Sequence, residues 1–157
     1  MKLSKSFFIL LLITSSVFSQ NKQKTKKVTK EPSIEETQKW IKSVIDIYGT
    51  GNLKFENEKI YYYIPSYPAT NRIYNQEVFL RNLNQASSSK GNGAVWIHID
   101  CLNGKSVYVD CKAFNFNTDN LNITLKENIT DEMLDRLIKA FNHLAKLSNG
   151  NKIGNTF

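Results

Sequence analysis

The chain predicts a single α+β domain, with an N-terminal amphipathic helix, a mainly antiparallel sheet of about six strands, and a C-terminal amphipathic helix. Three observations carry that expectation. Apolar residues recur with a helical period after Ser33 and again after Thr130. Between those stretches the period drops to two, in short runs separated by turn-forming residues. The 157 residues, 41% of them hydrophobic, are enough to bury one core, and 7 Gly and 3 Pro exclude a collagen-like or wholly disordered chain.

The first helix is set by Ser33 and Glu36, the two halves of a capping box. Trp40, Ile41, Val44, Ile45 and Tyr48 then fall on one face, and Gly49 and Gly51 end the helix, giving a span of 34–48. Leu53–Glu56 and Lys59–Pro65 form a hairpin about Asn57-Glu58, with Ile60, Tyr62 and Ile64 on one face and Tyr61 and Tyr63 on the other. Pro65, Pro68 and Asn71 mark a loop, and Gln76–Leu83 is a further strand. Ser87–Gly93 reads as a flexible connection by composition. Val95–Cys101 and Ser106–Cys111 both alternate, and a three-residue loop at 102–104 pairs Ile99 with Val107, Ile97 with Val109 and Val95 with Cys111. Asn122–Lys126 is the last strand. The closing helix starts at Thr130, carries its acidic residues early and its lysines late, and stops at Gly150.

The first residues read as a targeting segment. Lys2 and Lys5 precede the apolar run Phe7–Ile13, and small residues lead to a cleavage site before Gln20, so 1–19 is expected to be a secretory signal peptide. The apolar run is about half the ~20 residues needed to span a bilayer, and the mature chain shows no other candidate span. Residues 20–30 hold five lysines and one apolar residue, the composition of a disordered leader. The folded domain is then 31–157. The formal charge of +7 comes entirely from these two segments, since the remaining 14 basic and 14 acidic side chains balance. A nucleic-acid-binding domain would keep its excess charge on the fold, so that class is excluded. The mature protein is expected to be exported, periplasmic or secreted.

Export suggests that Cys101 and Cys111 could pair. In the expected hairpin they lie at opposite ends of the strands, on the order of 20 Å apart by the rise of a β-strand. A disulfide tolerates ~7 Å between Cα atoms, so no disulfide is expected. No zinc, EF-hand, phosphate-cradle or GxSxG pattern occurs, and neither metal nor cofactor is expected. Gly91-Asn92-Gly93 lacks the continuation that a phosphate loop needs.

Two surfaces remain as candidates. The polar face of the expected central hairpin carries Trp96, His98, Asp100, Tyr108 and Asp110, with His98 opposite Tyr108 and Trp96 opposite Asp110. A His between carboxylates can move protons, which makes His98, Asp100 and Asp110 weak catalytic candidates for a small envelope hydrolase. A solvated face stabilised by cross-strand pairs is the simpler reading. The second surface is aromatic. Tyr61, Tyr63, Tyr67, Tyr74, Trp96 and Tyr108, among 18 Asn, suit a carbohydrate or an extended peptide, because rings cover apolar faces while amides read polar edges. The function these readings favour is an exported, non-catalytic binding or interaction module. Its partner would be a protein, peptide or carbohydrate ligand of the cell envelope.

The two ends of the domain also carry a resemblance. Ser33-Ile34-Glu35-Glu36-Thr37-Gln38-Lys39-Trp40-Ile41 and Arg136-Leu137-Ile138-Lys139-Ala140-Phe141-Asn142-His143-Leu144 resemble the opening and closing helices of small uncharacterised exported proteins of Bacteroidetes-type bacteria. Where those proteins often carry a Cys, this chain has Ser148. The resemblance implies a helix–sheet–helix domain that could close as a pleckstrin-homology-like barrel with a C-terminal capping helix. It implies no activity.

Overall fold

A computed structural model describes residues 31–67, 72–111 and 114–150. The expected signal peptide and leader, the loop at Pro68 and Asn71, and the side chain of Tyr67 lie outside them. The order is α1 (Ile34–Tyr48), β1 (Asn52–Glu56), β2 (Lys59–Tyr67), β3 (Arg72–Phe79), a 3₁₀ turn at Leu80–Asn82, β4 (Leu83–Gly91), β5 (Ala94–Cys101), β6 (Val107–Cys111), β7 (Phe114–Thr118), β8 (Asn120–Lys126) and α2 (Asp131–Gly150). This is the expected α+β class, a helix at each end of an antiparallel β region. Among the described residues the strands number eight and form two sheets, ordered β1-β2-β3-β6-β7 and β4-β5-β8, and neither closes into a barrel.

Both helices begin as their sequences require. Ser33 Oγ accepts from the Glu36 N–H at 3.2 Å, and the Glu36 carboxylate accepts from the Ser33 N–H at 2.7 Å. The reciprocal pair satisfies two of the donors that a helix start leaves open. At α2 the Thr130 hydroxyl accepts from the Met133 N–H. Ile41, Val44 and Ile45 of α1 and Leu134, Leu137, Phe141 and Leu144 of α2 are buried, and α2 lies against β4.

The first hairpin forms as expected. Asn57 and Glu58 both have positive φ, at 50° and 60°, the mirror-image turn whose twist matches that of paired strands. The strand expected over Gln76–Leu83 is instead broken after Phe79. Leu80 and Leu83 are both buried, and three-residue spacing cannot place two side chains on one face of a strand. The 3₁₀ turn restores the match, and the Leu80 N–H donates to Glu58 O.

Two expectations about the middle of the chain are overturned. Ser87–Gly91 is strand, not a flexible connection, and it continues through the Asn92-Gly93 turn into β5. The expected hairpin between 95–101 and 106–111 does not exist. β5 lies between β4 and β8, while β6 lies between β3 and β7. The chain changes sheets at 102–106. There the Leu102 N–H donates to Asn82 O, the Lys105 N–H donates to the Asp119 carboxylate at 2.6 Å, and Gly104 and Lys105 take positive φ. Each strand keeps the face it was expected to bury: Val95, Ile97 and Ile99 on one, Val107, Val109 and Cys111 on the other. Alternation dictates which side chains go inward; it does not choose the neighbouring strand.

β8 is an edge strand, and side chains of the other sheet bond its outward backbone groups. Gln76 Nε2 donates to Asn122 O at 2.8 Å, and Gln76 Oε1 accepts from the Asn122 N–H at 3.0 Å. The Tyr62 hydroxyl does the same for Thr124, donating to its O at 3.0 Å and accepting from its N–H at 3.2 Å. Burial holds the Tyr62 phenol above its ordinary pKa, so it stays protonated and able to donate. The two sheets therefore meet edge to face around one continuous apolar core.

Candidate functional site

The outer face of the five-stranded sheet is built by register. Tyr61 stands opposite Glu77, which stands opposite Tyr108; one step along, Tyr63 stands opposite Asn75, which stands opposite Asp110. β7 continues the two rows with Asn117 and Asn115. Three tyrosines, three asparagines and two carboxylates thus share one surface. Tyr63 is 36% and Tyr108 43% exposed, well above the core aromatic Tyr62 at 1%. Glu77 is ion-paired to Lys59, and that bond holds the Lys59 ammonium above its usual pKa. A shallow depression of about 180 Å³ runs between the rings.

The structure divides the residues expected on the central hairpin. Tyr108 and Asp110 join Tyr61 and Tyr63 on this face, whereas Trp96, His98 and Asp100 belong to β5 in the other sheet. His98 faces Asn122 rather than Tyr108, and Trp96 faces Thr124 rather than Asp110. The physical reason is the sheet change at 102–106. His98, Asp100 and Asp110 are therefore not one cluster, and Asp100 is exposed at the end of β5.

Trp96 lines a groove of about 360 Å³ where the two sheets meet. Its other walls include Tyr74, Gln76 and Phe116 from the five-stranded sheet and Asn122 and Thr124 from β8. Beside it, the His98 ring bonds at both nitrogens. Nδ1 lies 2.6 Å from Asn122 Oδ1, and Nε2 lies 2.8 Å from Ser89 Oγ. Asn122 Nδ2 donates to Asn120 Oδ1 at 2.8 Å, which leaves Oδ1 as the acceptor facing the ring. In the neutral ring this arrangement puts the proton on Nδ1 and leaves Nε2 to accept from the serine. Sequence reading missed Ser89 because 87–93 read as a connection, and missed Asn122 because its strand was not placed beside β5.

Cys101 and Cys111 are thiols, not bridged to each other; Cys101 is half-buried and Cys111 buried. Burial pushes the Cys101 thiol up to about 11, so at neutral pH it is not a nucleophile. Among the described residues no three His, Cys, Asp or Glu side chains are grouped to hold a metal ion. Among the same residues no helix is long and apolar enough to cross a membrane.

No protein-family model, no curated protein and no solved structure matches this chain.

Proposed function

We propose that this chain is an exported binding module of the cell envelope, and that the tyrosine face of the five-stranded sheet holds a glycan. The observation that carries this reading is the convergence of Tyr61, Tyr63 and Tyr108 with Asn75, Glu77 and Asp110 on one surface. Sugar rings present flat C–H faces and an equatorial rim of hydroxyls. Tyrosine rings cover the former, while amides and carboxylates bond the latter. A sheet face fixes these groups on a rigid backbone, so little conformational freedom is lost on binding. Binding at this face needs no chemistry from the protein.

The test is titration of the purified protein with soluble envelope glycan fragments, followed by calorimetry. Replacing both Tyr63 and Tyr108 with Ala should weaken binding at least about tenfold, since each lost ring removes on the order of 1 kcal/mol of contact. Both side chains are partly exposed, so the melting temperature should hardly change. Undiminished affinity in the double variant would remove the tyrosine face from the reading.

A hydrolytic reading has one observation in its favour, the bonded chain through His98. It keeps His98 of the residues the sequence suggested, with Ser89 and Asn122 in place of Asp100 and Asp110.

A further inference from the structure

We propose that Ser89, His98 and Asn122 form a nucleophilic site that cleaves small carboxylic esters, a site separate from the tyrosine face. Three adjacent strands supply one residue each, and the spacing follows from the register. His98 lies directly opposite Asn122 on β8 and opposite Ser87 on β4; Ser89 is two residues further along, opposite Trp96. Side chains at these positions share one face of the sheet. The imidazole reaches diagonally to Ser89 Oγ and straight across to Asn122 Oδ1.

The order of the contacts is that of a nucleophile, a base and a group that orients the base. Asn122 is a positioning residue, and it is itself held. Asn120 fixes which end of its amide faces the ring, and Gln76, 7% exposed, bonds both its backbone N–H and its backbone O. The imidazole is thus kept with its proton on Nδ1 and its lone pair toward the hydroxyl. Ser89 is exposed, so an incoming carbonyl can reach it, and the groove beside Trp96 offers a wall for the acyl group.

In the reaction, Ser89 Oγ bonds to the ester carbonyl carbon as its proton passes to His98 Nε2. The C–O bond to the alcohol then breaks, and the departing oxygen takes that proton. Water, giving a proton to the same Nε2, attacks the acyl-serine. The carboxylic acid leaves and Ser89 Oγ recovers the proton. No outside oxidant, metal or cofactor enters the balance.

The strand supplies its own control, because Ser87 and Ser88 immediately precede Ser89. The purified protein is treated with a serine-directed fluorophosphonate, and the adduct is mapped by peptide mass. In parallel, p-nitrophenyl acetate and butyrate are assayed for turnover. The adduct should fall on Ser89 and not on Ser87 or Ser88, and Ser89→Ala should abolish both labelling and turnover. Replacing His98 with Gln should slow labelling on the order of a hundredfold, the usual worth of a general base. Asn122→Ala should slow it about tenfold and Asn122→Asp should restore it, a rescue that a purely structural role would not give. Melting curves of the variants establish that each is folded. Equal labelling across 87–89, no labelling at all, or full labelling without His98 would refute the site. Labelling of Ser89 without release of p-nitrophenol would refute the ester assignment.

Discussion

Replacing Gln76 with Leu should destabilise the protein by about 2–4 kcal/mol, because it strands two buried polar groups at once. The side chain is 7% exposed, and both its amide atoms bond the backbone of Asn122. Leucine fills a similar volume but neither donates nor accepts, so the Asn122 N–H and O at the edge of β8 lose their partners. Tyr62→Phe should be milder, at about 1–2 kcal/mol. There Thr124 O keeps the Thr50 N–H at 3.0 Å and the Thr50 hydroxyl at 3.2 Å, so only the Thr124 N–H is stranded. Chemical denaturation with a constant slope measures both. If Gln76→Leu unfolds at the same denaturant concentration as the parent, the meeting of the two sheets does not depend on this clip.

The larger loss should come from Phe141→Ala, at about 3–5 kcal/mol. Phe141 is fully buried on α2, between Leu137 and Leu144, which are themselves at 0% exposure. α2 lies against β4, a strand that offers few apolar residues of its own: Leu83 and Ala86 are buried and the positions after them are exposed. The helix therefore contributes much of the apolar contact in this part of the core, and a cavity there has few neighbours that can collapse into it. For a domain of this size the melting temperature should drop by more than roughly 10 °C. Phe141→Leu, which leaves a smaller void, should fall in between. An alanine variant that melts with the parent would show that α2 is peripheral to the core.

Both helices were legible in the sequence because their signals are local. The Ser33–Glu36 box and the apolar stripe of α1 act within a few residues, and the structure places the helix at Ile34–Tyr48 as expected. The inward faces of β2, β5 and β6 were legible for the same reason. Partner choice was not. The two-residue Asn-Gly hairpin signal lies at Asn92-Gly93, where it joins β4 to β5, and the serines before it masked a strand. An edge strand with only Leu83 and Ala86 buried needs little hydrophobicity, since its backbone bonds to β5 hold it in place. Gly104 suggested a second hairpin, but its turn carries the chain to the other sheet. A hairpin there would set His98 next to Tyr108, whereas in the fold Ser89 and Asn122 stand beside it. Of the expected aromatic surface, Tyr61, Tyr63 and Tyr108 share one face, because Tyr61 and Tyr63 depend only on the parity of one strand and Tyr108 joins them across β3, whereas Tyr74 and Trp96 line the groove between the sheets.

The sheet change at 102–106 also imposes an order of assembly. By Cys101 the chain contains two local units, the β1-β2-β3 meander and the β4–β5 hairpin, each able to form from neighbouring residues. Neither sheet is complete. β6 must return to β3 across the whole β4–β5 hairpin, and β8 must return to β5 across β6 and β7, so each sheet is finished by chain that follows the other's first half. Such interleaved, long-range closures raise the loop entropy paid before native contacts repay it, and domains with this contact pattern fold in roughly milliseconds to seconds. Truncation before Phe114 leaves both sheets short of a strand, whereas truncation between Thr118 and Asn120 removes, of the strands, only β8 and leaves β5 without its second neighbour.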